Sequence, residues 1–162
     1  MSQPDQDKEE DCYIDIVALH GGDESHVFVD IMLNMYRLWA YESCLTFRSI
    51  NAASGVGMRL PGRAKLLIEG ADRSLLASRE NGVHRMIRFP PGRTQRHMSF
   101  VGVRVSGSAD AVLPEGRDGW GEQIRSLIIN PEPSLTNHRT GFVTSDIVGV
   151  MSGDLQRFWE ER

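Results

Sequence analysis

The chain has 162 residues, 40% of them hydrophobic and 25% charged, with a formal net charge of −4. That length and composition describe one globular domain, or one domain with tails, able to bury a sizeable core. No apolar run approaches a membrane span and the first residues form no signal-peptide core, so a cytoplasmic protein without a membrane partner is expected.

Residues 1–11 hold Asp5, Asp7, Glu9, Glu10 and Asp11 against Lys8 alone. The segment is acidic and aperiodic, which predicts a disordered tail. It carries the whole net charge, so the body is close to neutral. Cys12 to Ala18 alternates and is β-branched, the pattern of a strand. Cys12 and Cys44 lack metal-ligand spacing and read as reduced thiols. His20 to Ser25 interrupts the alternation, with Asp23 or Ser25 as N-cap of the next element. From His26 to about Cys44, the apolar Phe28, Ile31, Met32, Met35, Leu38 and Trp39 recur at spacings of three and four, predicting an amphipathic helix.

Thr46 to Ala52 reads as a strand, Ser54-Gly55-Val56-Gly57 with Pro61-Gly62 as a loop, and Ala64 to Gly70 as a strand. Ala71 to Glu80 reads as a short helix ended by Asn81-Gly82 in a left-handed cap. Val83 to Phe89 and His97 to Val105 are two further strands around a proline turn. Ser106 to Asp118 is poor in apolar residues and reads as a linker. Gln123 to Ile129 is a strand, Asn130 to Pro133 a turn, and Asn137 to Gly141 another. Ser145 caps a short helix to Met151, and Asp154 starts the last helix, which ends near Glu161. The expected fold is α+β, with helices packed on a mostly antiparallel sheet.

Between His84 and His97 stand Arg85, Arg88, Arg93 and Arg96 and no carboxylate. Such a stretch attracts phosphate, although a basic hairpin solvating a sheet edge has the same composition. Pro90-Pro91-Gly92 is a stiff, exposed tip. Gly21-Gly22 precede a helix whose first N–H groups are free for an anion or a base edge, or simply make a tight turn. Trp120, between two glycines, suits either stacking on a base or anchoring the linker to the core. His20 and His26 with Asp23 and Glu24 match no metal signature, and no nucleophile motif is present. No metal, cofactor or catalytic residue is therefore assigned.

Several motifs, in order, resemble those of bacterial peptide chain release factors, most closely the release factor 2 branch. Asp11 to Ile16 with Gly21-Gly22 and Met35-Tyr36-Arg37-Leu38-Trp39-Ala40 is similar to the start of that family's codon-recognition domain. Glu80-Asn81-Gly82-Val83-His84-Arg85, Arg96-His97-Met98-Ser99-Phe100, Gly119 to Ser126, and His138-Arg139-Thr140-Gly141 with Ser152-Gly153-Asp154-Leu155 resemble its later motifs. The resemblance implies the family's decoding superdomain. A codon-recognition-like domain would occupy residues 12–105. A linker at 106–118 would replace the catalytic domain, and a C-terminal segment at 119–162 would pack on the first part.

The departures carry equal weight. The family's N-terminal helical domain is not recognisable, and no Gly-Gly-Gln occurs; the one Gly-Gly is followed by Asp23. Residues 106–118, fully extended, span roughly 45 Å. Where release factor 2 carries Ser-Pro-Phe, this chain has Pro90-Pro91-Gly92, which offers no hydroxyl. The stacking histidine is matched by His97, but the threonine after it is Met98, which cannot donate. The helix start Gly21-Gly22-Asp23-Glu24 is kept.

The resemblance thus implies a non-hydrolytic RNA-binding protein of translation, not an enzyme. Its partner would be the ribosomal decoding centre and its rRNA, or a structured RNA such as an mRNA. The expected contacts are Gly21, Gly22 and Glu24 at the helix tip, Arg88, Pro90, Pro91, Gly92, Arg93, Arg96, His97, Met98 and Ser99 at the loop, and Trp120 stacked on an rRNA base. Two alternatives stand beside it. One is a targeting subunit for a separate Gly-Gly-Gln hydrolase, and the other a protein-interaction module whose RNA face has decayed. The sequence leaves the oligomeric state open.

Overall fold

The computed structural model describes residues 11–50 and 62–162. The acidic segment 1–10, positions 51–52 of the expected second strand and the glycine loop 54–61 lie outside the described residues. Eight strands form one sheet: β1 Asp11–His20, β2 Thr46–Ser49, β3 Arg63–Glu69, β4 Gly82–Arg88, β5 His97–Ser106, β6 Gln123–Ile128, β7 Ser134–Asn137 and β8 Val143–Thr144. Their order is β2-β3-β1-β5-β4-β6-β7-β8. Every pairing is antiparallel except β4 with β6. The helices are α1 Gly22–Glu42, α2 Arg73–Glu80, α3 Ile147–Met151 and α4 Leu155–Glu160. The architecture is α+β on a mostly antiparallel sheet, as the periodicities predict.

The main core lies between the sheet and its helices. Ile14 and Ile16 of β1, Leu66 and Ile68 of β3, and Val101 and Val103 of β5 are buried beneath Phe28, Met32, Met35 and Tyr36 of α1. Alternation along each strand sends these residues to one face. The opposite face holds a smaller cluster of Val83, Phe100 and Trp120, with Val17, Leu19 and Leu113 against it. Residues 107–122, joining β5 to β6, supply Leu113 and Trp120 to that cluster and so lie across this second face.

Several local expectations are corrected. Asp11 pairs with Glu69 at the start of β1 and does not belong to the tail. Helix α1 begins at Gly22, because Gly21 takes φ +119° as its N-cap, so neither Asp23 nor Ser25 caps it. Ser25 lies inside the helix and donates its hydroxyl to the Gly22 carbonyl at 2.6 Å. Asn81 is extended, with φ −63° and ψ 125°, so α2 has no left-handed cap there. Asp146, not Ser145, caps α3 by accepting from the Gly149 N–H at 3.0 Å. Strands β7 and β8, four and two residues long, are too short to show a period and have no counterpart among the expected elements.

A buried ionic network ties the two ends of the sequence together. The Glu80 carboxylate, at the end of α2, accepts from Tyr36 Oη at 2.6 Å, Arg125 Nη1 at 2.6 Å and Trp159 Nε1 at 2.7 Å. Arg125 lies on β6, is fully buried, and rests its guanidinium 4.0 Å from the Phe158 ring centroid. His84 bridges the pair: its Nε2 donates to the Glu80 carbonyl at 2.9 Å and its Nδ1 accepts from Arg125 Nη1 at 3.1 Å. Burial acts to raise the Glu80 carboxyl, but Arg125, His84 and the hydrogen bonds outweigh it and hold it below the ordinary range. The network fixes β4 against β6, and β4 leads directly to the basic loop.

Candidate nucleic-acid interface

Strand β4 ends at Arg88 and β5 begins opposite it at His97. The intervening residues form the proline tip. Within it the Arg93 N–H donates to the Pro90 carbonyl at 3.0 Å, and Gly92 takes φ +76°. A proline followed by a glycine with positive φ is what a type II turn requires. Pro91 and Gly92 therefore shape the tip, whatever else they contact.

Three pairings fix the loop to the body. Arg88 makes a two-pronged ion pair with Glu24, Nε to Oε2 and Nη2 to Oε1, each 2.6 Å. The bond from Arg88 holds the Glu24 carboxyl below its usual range, against the opposing effect of burial. His97 Nε2 lies 2.8 Å from the Gly21 carbonyl. A carbonyl only accepts, so this ring nitrogen carries the proton. The Phe89 N–H donates to Asn130 Oδ1 at 2.7 Å.

These bonds bring the tip and the start of α1 together around a cleft of about 380 Å³. Gly21, Gly22, Asp23, Glu24 and Val27 form one wall, and Pro90, Pro91, Arg93 and His97 the other. Gly21 allows the approach: a β-carbon there would sit 2.9 Å from Ser99 Cα. Most of the sequence-predicted residues thus meet in one place although about 70 positions separate them. Arg96 is exposed beside the cleft and lines a neighbouring groove with Pro131 and Pro133. Among the described residues, neither Arg93 nor Arg96 forms an ion pair.

Five expected contacts are placed differently. Arg88 and Glu24 are paired with each other, which engages both Glu24 oxygens and two of the five Arg88 N–H donors. Ser99 is fully buried behind Gly21, its hydroxyl without a hydrogen-bond partner. Met98 points to the opposite face of β5 by strand alternation, away from the cleft, and is 42% exposed. Trp120 is 3% exposed and lies flat on Gly102, where a β-carbon would overlap its ring. It anchors the core and presents no face for stacking. Asn130, by contrast, is a loop-positioning residue that the sequence signals only as an Asn-Pro turn.

Comparisons with known proteins give the family and the fold. The PCRF domain family matches residues 1–103. Peptide chain release factor 2 of Caulobacter vibrioides is 24% identical over 232 residues, which cover 91% of this chain and 62% of that protein. An alignment longer than the chain itself requires a long stretch in the relative with no counterpart here. The chloroplastic release factor PrfB2 of Arabidopsis thaliana is 33% identical over 98 residues, covering 58% of this chain and 20% of that protein. In three dimensions, release factor 2 of Thermus thermophilus superposes with a TM-score of 0.74 at 21% identity, over 94% of this chain and 67% of that one. The chain thus spans less than two thirds of the first of these relatives and shares its fold with the last. With a family match over more than half of its length, this chain belongs to the peptide chain release factor family.

Proposed function

We propose that this protein is a non-hydrolytic release-factor relative that binds the ribosomal decoding region, or a structured RNA like it, through the cleft between α1 and the proline tip. The observation that carries the reading is the cleft itself. Two segments distant in sequence are locked together by Arg88–Glu24 and His97–Gly21, while Arg93 and Arg96 remain exposed to meet phosphate. The absence of hydrolysis rests on the sequence, which contains no Gly-Gly-Gln. It is also supported by the β5–β6 connection, whose residues 107–122 lie across the sheet and supply its second core.

Base discrimination is relaxed in this reading. Pro90 has no hydroxyl, Met98 faces away, and both Glu24 oxygens are engaged by Arg88. Each lost bidentate contact removes about 1–3 kcal/mol of discrimination. The test is a ribosome-pelleting assay with the Arg93→Glu plus Arg96→Glu variant. Binding is expected to be lost. Co-sedimentation equal to that of the unmodified protein would overturn the proposal.

A further inference from the structure

On the sheet face opposite α1, Arg85 stands without a countercharge. Its stem is half-buried on β4, and its Nε donates to Ser126 Oγ at 3.2 Å. That is one of five N–H donors, and among the described residues Arg85 forms no ion pair. Its cross-strand neighbour is Phe100. Arg117, from the β5–β6 connection, places its guanidinium 3.9 Å from the Phe100 ring centroid and is likewise in no ion pair among the described residues. His138 Nε2 lies 2.6 Å from Ser126 Oγ, and Gln123 Nε2 donates to the same oxygen at 3.1 Å. Side chains from β4, β6 and the β7–β8 turn therefore meet at Ser126 Oγ, and Arg117 of the connection lies on Phe100, the cross-strand neighbour of Arg85. The carboxylates nearby in sequence are Glu122, paired with Arg139 at 2.6 Å, and the exposed Glu115 and Asp118.

Partial desolvation of a guanidinium without a carboxylate is unfavourable and is offset when an anion binds. We propose that this face is a second RNA contact, with Arg85 and Arg117 each the ligand of one backbone phosphate. The inference rests on the RNA-binding reading of the cleft and extends it. Along β4, Arg85 stands three positions from Arg88, roughly 10 Å away and on the opposite face of the sheet. An RNA strand leaving the cleft reaches Arg85 by passing around the proline tip, where exposed Arg96 stands. RNA is favoured over an acidic protein segment because the cations continue from the exposed arginines of the tip.

The test is fluorescence anisotropy with a labelled oligouridylate about 12 nucleotides long, titrated across a range of salt. Arg85→Gln plus Arg117→Gln is expected to weaken low-salt affinity on the order of tenfold. It should also flatten the log–log salt slope by about 1.4, from roughly 0.7 per single-strand phosphate contact. Arg85→Lys should keep the slope. Arg117→Gln alone, on an exposed position, should flatten it by about 0.7 and keeps the test decisive if the Arg85→Gln protein fails to fold. An unchanged slope, with the Arg93→Glu plus Arg96→Glu protein losing all binding, overturns this inference and leaves the cleft reading intact. No oligouridylate or ribosome binding by the unmodified protein overturns both. Retained RNA binding with loss of polyglutamate binding would overturn the RNA assignment and give the face to a protein.

Discussion

Gly102 and Trp120 decide how the second face of the sheet is closed. The indole lies where a side chain at 102 would be, and Arg104 Cζ lies over it, 5.9 Å from the ring centroid. Gly102→Ala should destabilise the fold by about 1–3 kcal/mol through overpacking, and Trp120→Ala by about 3–5 kcal/mol through the cavity left. Chemical denaturation of both variants measures this. His84 makes a second prediction at this scale. Burial, and then the neighbouring Arg125, depress its pKa from 6.5 to about 4. A depressed folded-state pKa gives stability that is complete above the unfolded value and is lost as pH falls through the folded one. Unfolding free energy should therefore decline between pH 6.5 and 4, by on the order of 3 kcal/mol. Protonating Nδ1 would aim a new N–H at a guanidinium. Denaturant titrations across that range check the slope, and a His84→Gln protein should lack most of it.

Among the elements, α2, β4, β6 and α4 depend on one carboxylate. Glu80→Gln keeps much of the shape but leaves Arg125 as an uncompensated buried charge. The expected loss is about 3–5 kcal/mol, read from the denaturation midpoint. The tip is held more lightly. Arg88 and Glu24 are 21% and 14% exposed, so a double-mutant cycle with Arg88→Ala and Glu24→Ala should give a coupling of about 1 kcal/mol. The elements legible in the sequence are those with enough residues to show a period. The apolar stripe of α1 and the alternation of β1, β4 and β5 place them to within a few residues. Strands β7 and β8 are too short for that. The start of α1 differs from the expected one because Gly21 and Gly22 use positive φ in place of a side-chain cap.

At the scale of the whole molecule, the sheet is continuous from β2 to β8, and its middle is made of distant segments. Strand β4 lies between β5 and β6, and Glu80 takes partners from α1, β6 and α4. A fragment ending at residue 106 would leave Glu80 buried without Arg125 or Trp159 and β4 with a bare edge. It should show no cooperative unfolding in a thermal melt, because the missing pair alone is comparable to typical domain stability. Among the described residues no helix is long and apolar enough to cross a membrane. By itself the sequence determined the α+β class, the main strands and helices, the family and the basic tip, since these rest on period, composition and ordered motifs. It named Gly21, Gly22, Pro90, Pro91, Arg93 and His97, all of which meet at the cleft. Only the tertiary structure decided which cations are free. Arg88 meets Glu24 across 64 positions, Ser99 is sealed behind Gly21, and Trp120 lies on Gly102. Pairing and burial depend on which strands become neighbours, and spacing along the chain does not encode that.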